Sequence, residues 1–416
     1  MDEAAITLAK SIIHNKINPM KSRLILLLLA ISTNFGMINA QNNQWNYYGP
    51  PHDFFDGYPR LGLVRSVYTS DYSGDVMIAA SNTAGMYRTN DGGISWVSVT
   101  DDLGVPGLGI TDISSDPANP SILYATSGSR STDFGGTTLQ LLKSINHGIT
   151  WSSVEINTEL EDYDIFHDEI LSTVRVSPFD SNHIIVGGRG AIYVSVDGGD
   201  TWGSSNGLMF VEDSSNPNYV DDDVNWNVHD ILFHPTVEGL VYAATKDYTD
   251  FQLYTGATTN AMLLRSYDGG LSWEQVPLTG EGWPSNELIR GVVEIDFDVN
   301  GDLAVFAAYS DTAYISLGEP VNFEETQVVK GGIDLSRLGP FLSEFAMSKI
   351  EPNLCYAFSR IPYVIQIGEN GLNEIPQYNG IHDDGRDILL VSSPDGQQEK
   401  LYSANDGGLS VTLREL

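Results

Sequence analysis

The sequence predicts an all-β protein: a single β-propeller of seven four-stranded blades, closed by a strand near the N-terminus. Three observations predict it. A turn of fixed composition recurs, a strand–turn–strand unit occurs seven times, and a lone Trp-led strand, "QWNYY" (44–48), precedes the first unit. Alternating apolar stretches between Gly-, Asn- and Asp-rich turns, repeating roughly every 45–65 residues, have the period of propeller blades.

The recurring turn is "TNDGGISW" (89–96). It returns as "SINHGITW" (144–151), "SVDGGDTW" (195–202) and "SYDGGLSW" (266–273), with a degraded copy, "ANDGGLSV", at 404–411. The pattern is Ser/Thr-x-Asp-x-Gly-x-Ser/Thr-Trp; Asn146 replaces Asp in the second copy and Val411 replaces Trp in the last. Asp91, Asn146, Asp197, Asp268 and Asp406 are suited to bond backbone and hydroxyl groups of a tight turn. Gly93, Gly199 and Gly270 suit a positive φ. Trp96, Trp151, Trp202 and Trp273 are large enough to fold back between blades. The motif is therefore expected to hold turns rather than do chemistry.

The units upstream of these turns are two apolar strands around an Asp/Pro/Asn/Gly turn, shown best by "GITDISSDPANPSILYATSG" (109–128). The others begin at 64, 173, 228, 292, 344 and 386. In the first unit the four strands are expected at 64–69, 75–80, 85–89 and 95–99. Units five and six lack the motif, and their outer hairpins are expected within 313–325 and 364–375. The seventh stops after its third strand, near Leu413. "QWNYY" is expected to supply the fourth, joining the chain ends in one sheet and removing exposed edges. The alternative architecture is a larger propeller cut short at 416.

Composition narrows the partners. The chain has 416 residues, 41% apolar, and a formal charge of -34. A core is within reach and disorder is not expected. Acidity spread along the chain argues against nucleic acid or anionic membrane as partner. It leaves cationic partners, calcium or plain solubility. "MKSRLILLLLAISTNFGMINA" (20–40) has a basic start, an apolar run from Leu24 to Ile31 and the small residue Ala40. It reads as a signal peptide behind an upstream extension, giving a 1–40 leader and a 41–416 propeller domain, secreted or extracytoplasmic, with no integral membrane segment after cleavage. The one cysteine, Cys355, allows no internal disulfide and is expected to be a buried small hydrophobe.

The turns resemble the Asp-box, or BNR, repeats of sialidases, sortilin-type receptors and xyloglucan-cleaving glycosidases, over most of residues 44–416. The resemblance implies a propeller, because those families share the turn and not the chemistry. "GMYRTNDGGISWVSVTDDL" (85–103) is similar to the N-terminal propeller of the xyloglucan-cleaving enzymes, which carry an acidic base after the Trp-led strand. That implies Asp101 or Asp102 as a catalytic candidate. The family's second acid comes from a second propeller, for which this sequence has no counterpart.

In a four-stranded meander the motif turns share one end with the turns between first and second strands. A ligand site is expected at the other end, where connections are long and varied. His-Asp occurs four times, at His52-Asp53, His167-Asp168, His229-Asp230 and His382-Asp383, always in or just after such a connection. Imidazole with carboxylate can bind a metal or form an acid/base pair. His167, Asp168, His229, Asp230, His382 and Asp383 are accordingly expected to gather at the channel mouth as a ligand site; the structural alternative is that each His bonds its own Asp or a neighbouring blade. Asp213, Asp221, Asp222 and Asp223 offer hard oxygens suited to a divalent cation such as calcium, or form a solvated acidic insertion. The function expected is a protein- or glycan-binding module; the alternative is a glycoside hydrolase using acidic residues of the same face.

Overall fold

The computed structural model describes residues 46–47, 54–55, 58–59, 64–81, 84–105, 108–128, 141–156, 171–188, 191–205, 226–247, 261–278, 283, 293–309, 312–318, 327–330, 344–358, 362–368, 371–375, 385–405 and 408–415. All lie in one compact unit, Asn43–Leu416. The leader-like segment lies outside them.

Seven four-stranded antiparallel sheets follow one another along the chain. In blade 1 the order from the innermost strand outward is Val64–Thr69, Met77–Ser81, Met86–Thr89 and Val97–Ser98. The second strand starts two residues later than expected because Asp71 extends the turn. Its carboxylate accepts bonds from the Ser73 amide and hydroxyl, at 2.8 and 2.5 Å. Innermost strands of the next blades are Ile110–Ser115, Leu171–Val176, Trp226–Phe233, Val293–Phe297, Glu344–Met347 and Gly385–Ser392. Each touches the innermost strands of both flanking blades, and the seventh touches the first, so the ring is closed.

Closure uses both ends of the sheet-forming chain. Asn46–Tyr47 pairs antiparallel with the third strand of blade 7, Gly408–Glu415, in the register Asn46 to Val411 and Tyr47 to Ser410. The larger, interrupted propeller is thereby excluded.

A strand face is half-buried only if another sheet covers it. Here the apolar residues fall into seven clusters, one at each blade interface. Tyr68, Ile78 and Met86 of blade 1 meet Ile113, Leu123 and Trp151 of blade 2. Val67 and Met77 meet Tyr402, Leu409 and Val411 across the closing interface. Cys355 is fully buried between blades 5 and 6, and that burial pushes its thiol pKa upward. It is a packing residue.

The motif turns join the third and outermost strands of blades 1–4, and all four make the same bonds. Asp197 Oδ1 accepts from the Ser195 hydroxyl and the Thr201 amide, both at 2.8 Å, and Oδ2 accepts from the Thr201 hydroxyl at 2.5 Å. Asp91 and Asp268 repeat this with Thr89/Ser95 and Ser266/Ser272. Asn146 substitutes by accepting from the Thr150 amide and donating to the Thr150 hydroxyl. Hydrogen bonds from Ser95 and Thr201 hold the carboxyls of Asp91 and Asp197 down at about 2. Gly199 takes φ 96°, and where the second turn has no first glycine, His147 itself adopts φ 59°. Trp96, Trp151, Trp202 and Trp273 pack against the preceding blade. Asp406 lies outside the described residues.

Two outcomes test these assignments. Deleting residues 41–49 leaves Gly408–Glu415 as an open sheet edge. The variant is expected to aggregate and to melt at least 5 °C lower by scanning calorimetry, the scale of a loss of about 4 kcal/mol in a domain of this size; a variant as soluble and stable as the parent would refute closure. Ser195 is buried, and its hydroxyl oxygen accepts from the Gly199 amide at 2.8 Å and, more distantly, from the Asp197 amide. Ser195→Ala is expected to cost about 1–3 kcal/mol in urea unfolding, because buried donors lose their acceptor.

Candidate functional site

The centre of the ring poses a physical problem. An innermost strand has a sheet partner on one side only, and its other edge offers unpaired backbone groups to the axis. Carboxylates from the preceding blade answer it. The Val67 amide donates to Asp387 at 2.9 Å, the Val174 amide to Asp112 at 3.0 Å and the Met347 amide to Asp296 at 2.8 Å.

Asp112 and Asp387 occupy a repeated rank, which Asp296 follows by two residues. Five innermost strands carry a bulge, and the residue after it is Ser66, Asp112, Thr173, Asp230 or Asp387. Glu294 and Glu344 hold the same rank in blades 5 and 6. Each lies four residues before the turn residue whose amide bonds back to the second strand (His234, Asp298, Ser348). The sequence signal is an acid followed by an apolar residue within the first four positions of the unit: Asp112-Ile113, Asp230-Ile231, Glu294-Ile295, Glu344-Phe345, Asp387-Ile388.

Only one of the His-Asp pairs, His229-Asp230, lies within the described residues. It splits between its neighbours. His229 sits in the bulge and points its Nε2 at Glu294 of blade 5, 3.1 Å away, both groups being almost fully buried. Asp230 turns the other way, to Arg175 of blade 3, with Oδ1 3.1 Å from Nη2. Arg175 also contacts Asp112 of blade 2, so one guanidinium ties three successive blades. Burial opposes its charge, but Asp112 and Asp230 outweigh that and hold its pKa above the ordinary value. For Asp230 the balance goes the other way. Burial, with Glu294, Asp296 and Asp112 nearby, lifts it to about 7 against the pull of Arg175. Burial lifts Asp387 to about 6, despite the bond from the Val67 amide.

His52, Asp53, His167, Asp168, His382 and Asp383 lie outside the described residues, as do Asp213, Asp221, Asp222 and Asp223. Among the described residues no set of three His, Cys, Asp or Glu side chains is arranged to hold a metal ion.

Asp101 and Asp102 open a single 3-10 turn, Asp101–Leu103, directly after the outermost strand of blade 1. Both are exposed, and Asp101 accepts from the Ser98 hydroxyl at 2.6 Å. The preceding residue, Thr100, anchors the turn: its Oγ1 accepts from the Met86 amide at 3.0 Å. Gly85, at φ 68°, makes room, since a Cβ there would stand 2.1 Å from Thr100 Oγ1. Asp101 also helps raise the pKa of Tyr87, after burial. The pair therefore sits on the face opposite the motif turns, on a rigid support.

No family model matches the sequence. A xyloglucanase of Paenibacillus sp is 26% identical over 248 residues, which is 56% of this chain and 23% of that protein. The chain thus spans about a quarter of the length of this curated relative. The solved GH74 xyloglucanase from Xanthomonas campestris superposes with a TM-score of 0.52 at 15% identity, covering 88% of this chain and 53% of the other. YCF48 from Cyanidioschyzon merolae superposes with a TM-score of 0.53 at 14% identity, covering 88% of this chain and 98% of the other. These likenesses establish the propeller.

The raised carboxyl of Asp230 sets a pH dependence. A group whose pKa is higher folded than unfolded destabilises the fold in its charged form. That cost is complete above about pH 7 and disappears as pH falls toward the unfolded value of about 3.9. Melting temperature is expected to rise between pH 8 and 5, and Asp230→Asn, measured beside the parent, is expected to flatten the rise. An unchanged slope in the variant would remove Asp230 as its source.

Proposed function

We propose that this chain is an exported Asp-box propeller that engages a glycan on the face carrying Asp101 and Asp102. The observation that carries the reading is the 56% of the chain that aligns with a protein named a xyloglucanase, a segment-level likeness in sequence and not only in fold. The geometry supports binding ahead of catalysis. Asp101 and Asp102 are exposed and firmly placed, whereas the axial carboxylates Asp112, Asp296 and Asp387 are committed to backbone amides of the next blade. The turn networks support the Asp-box assignment, and the pattern at 20–40 supports export.

Hydrolysis of the same glycan is the second reading, favoured by the same relative. Glycoside hydrolysis takes two carboxyls about 5–10 Å apart. Asp101 or Asp102 would supply one of them, as general base.

Xyloglucan is the first probe. In affinity electrophoresis the protein is expected to be retarded by xyloglucan, and Asp101→Asn with Asp102→Asn is expected to weaken retardation several-fold at unchanged melting temperature. Reducing-end release that the double variant abolishes would establish the second reading. Neither retardation nor release with xyloglucan or related β-glucans would overturn both.

A further inference from the structure

The motif turns carry a feature unrelated to the glycan reading and on the opposite face. Most of the large apolar side chains that the described residues leave exposed stand in or beside these turns: Ile94 at 81%, Ile145 at 71% and Val196 at 63%, with Ile149, Tyr267 and Leu271, while Val97 follows the first turn on the outermost strand. Apolar surface gathered on one face, and not scattered singly, marks a place where something binds.

The turns that carry these side chains are stiff. The second, third and fourth turns are each bonded to the blade before them. Arg88 Nε of blade 1 donates to the His147 carbonyl of the second turn at 2.9 Å, and Lys143 of blade 2 to the Gly198 carbonyl of the third at 2.9 Å. His183 of blade 3 meets the Gly269 carbonyl of the fourth at 2.6 Å. Each turn is also bonded to the other turn of its own blade, as by the Gly92 amide to Asp75 and the Gly198 amide to Asn182. The apolar tips therefore do not have to be ordered on binding, which lowers the entropic cost of covering them.

Charge identifies the occupant. The basic side chains of this face are engaged within the fold: Arg88 and Lys143 on carbonyls, Arg265 on Glu274. The carboxylates of Asp91 and Asp197 stand between the apolar tips and stay ionised down to about pH 2, and Asp200 and Glu238 are exposed beside them. A second copy of a chain with formal charge -34 is repelled. We infer that the motif-turn face of blades 1–4 docks a basic protein segment that presents apolar side chains.

The test uses a fluorescent 14-residue peptide of alternating Lys and Leu pairs, beside a Lys/Ser peptide of equal charge. Ile94, Ile149 and Leu271 hold the same place in three turns, and their exposure lets Ile94→Ser, Ile149→Ser and Leu271→Ser be combined without loss of folding, checked by melting temperature. By fluorescence anisotropy in 0.15 M salt, the parent is expected to bind the Lys/Leu peptide at least ten-fold more tightly than the Lys/Ser peptide. The triple variant is expected to lose that preference. Equal binding of the two peptides by the parent, or an unchanged preference in the triple variant, would overturn the proposal. So would sedimentation showing that the parent self-associates through this face and the triple variant does not.

Discussion

The innermost strands leave one edge without a sheet partner, and the rest of the molecule is arranged around that constraint. A closed ring of sheets removes outer edges at the seam but creates an inner edge in every blade. Side chains from the preceding blade supply the missing acceptors: Asp387 for Val67, Asp112 for Val174, Asp296 for Met347. The bulge before Asp112 and Asp387 turns these carboxylates toward the next blade. Arg175 then compensates two of the charges so gathered. Buried acids are costly, and the raised carboxyls of Asp230 and Asp387 measure that cost.

At the other end of the strands the ring is held in two ways. Blades 1–4 use the motif, with its Trp packed on the preceding blade and, in blades 2–4, a polar side chain of that blade bonded to the turn. Blades 5–7 use ions instead. Lys349 of blade 6 reaches Asp296 and the Phe297 carbonyl of blade 5. Buried Glu399 of blade 7 accepts from the Ser348 hydroxyl and Lys349 amide of blade 6. Lys400 of blade 7 donates to the Tyr72 and Ser73 carbonyls of blade 1. The first device reaches the turn between the third and outermost strands, the second the turn after the innermost strand. The difference leaves apolar tips on one arc of the face and ionic contacts on the other.

This division separates structure from recognition. Side chains at the axis and in the turn networks are already bonded, so chemistry there competes with the fold. Asp101 and Asp102 on one face, and the apolar tips on the other, are held by the scaffold without being consumed by it. A propeller hosts many functions, and both proposed readings place this one's at those exposed positions.

The sequence by itself determined the blade count, the strand order and the closing role of residues 44–48. Those follow from local properties: alternating apolar residues, glycines where φ is positive, and a turn whose own side chains satisfy it. It also placed the four tryptophans between blades, because nothing else in the unit could bury so large a ring. What it did not determine is which polar residues meet. His229 and Asp230 are adjacent in sequence and read as a unit, but a bulge sends one toward Glu294 and the other toward Arg175, in different blades. Asp112 and Asp230 share Arg175 across three repeats, a pairing set by ring geometry and carried by no local pattern. Only the tertiary structure decides such contacts, because the carboxylates of one blade reach the unpaired inner edge of the next only once the blades are assembled in a ring.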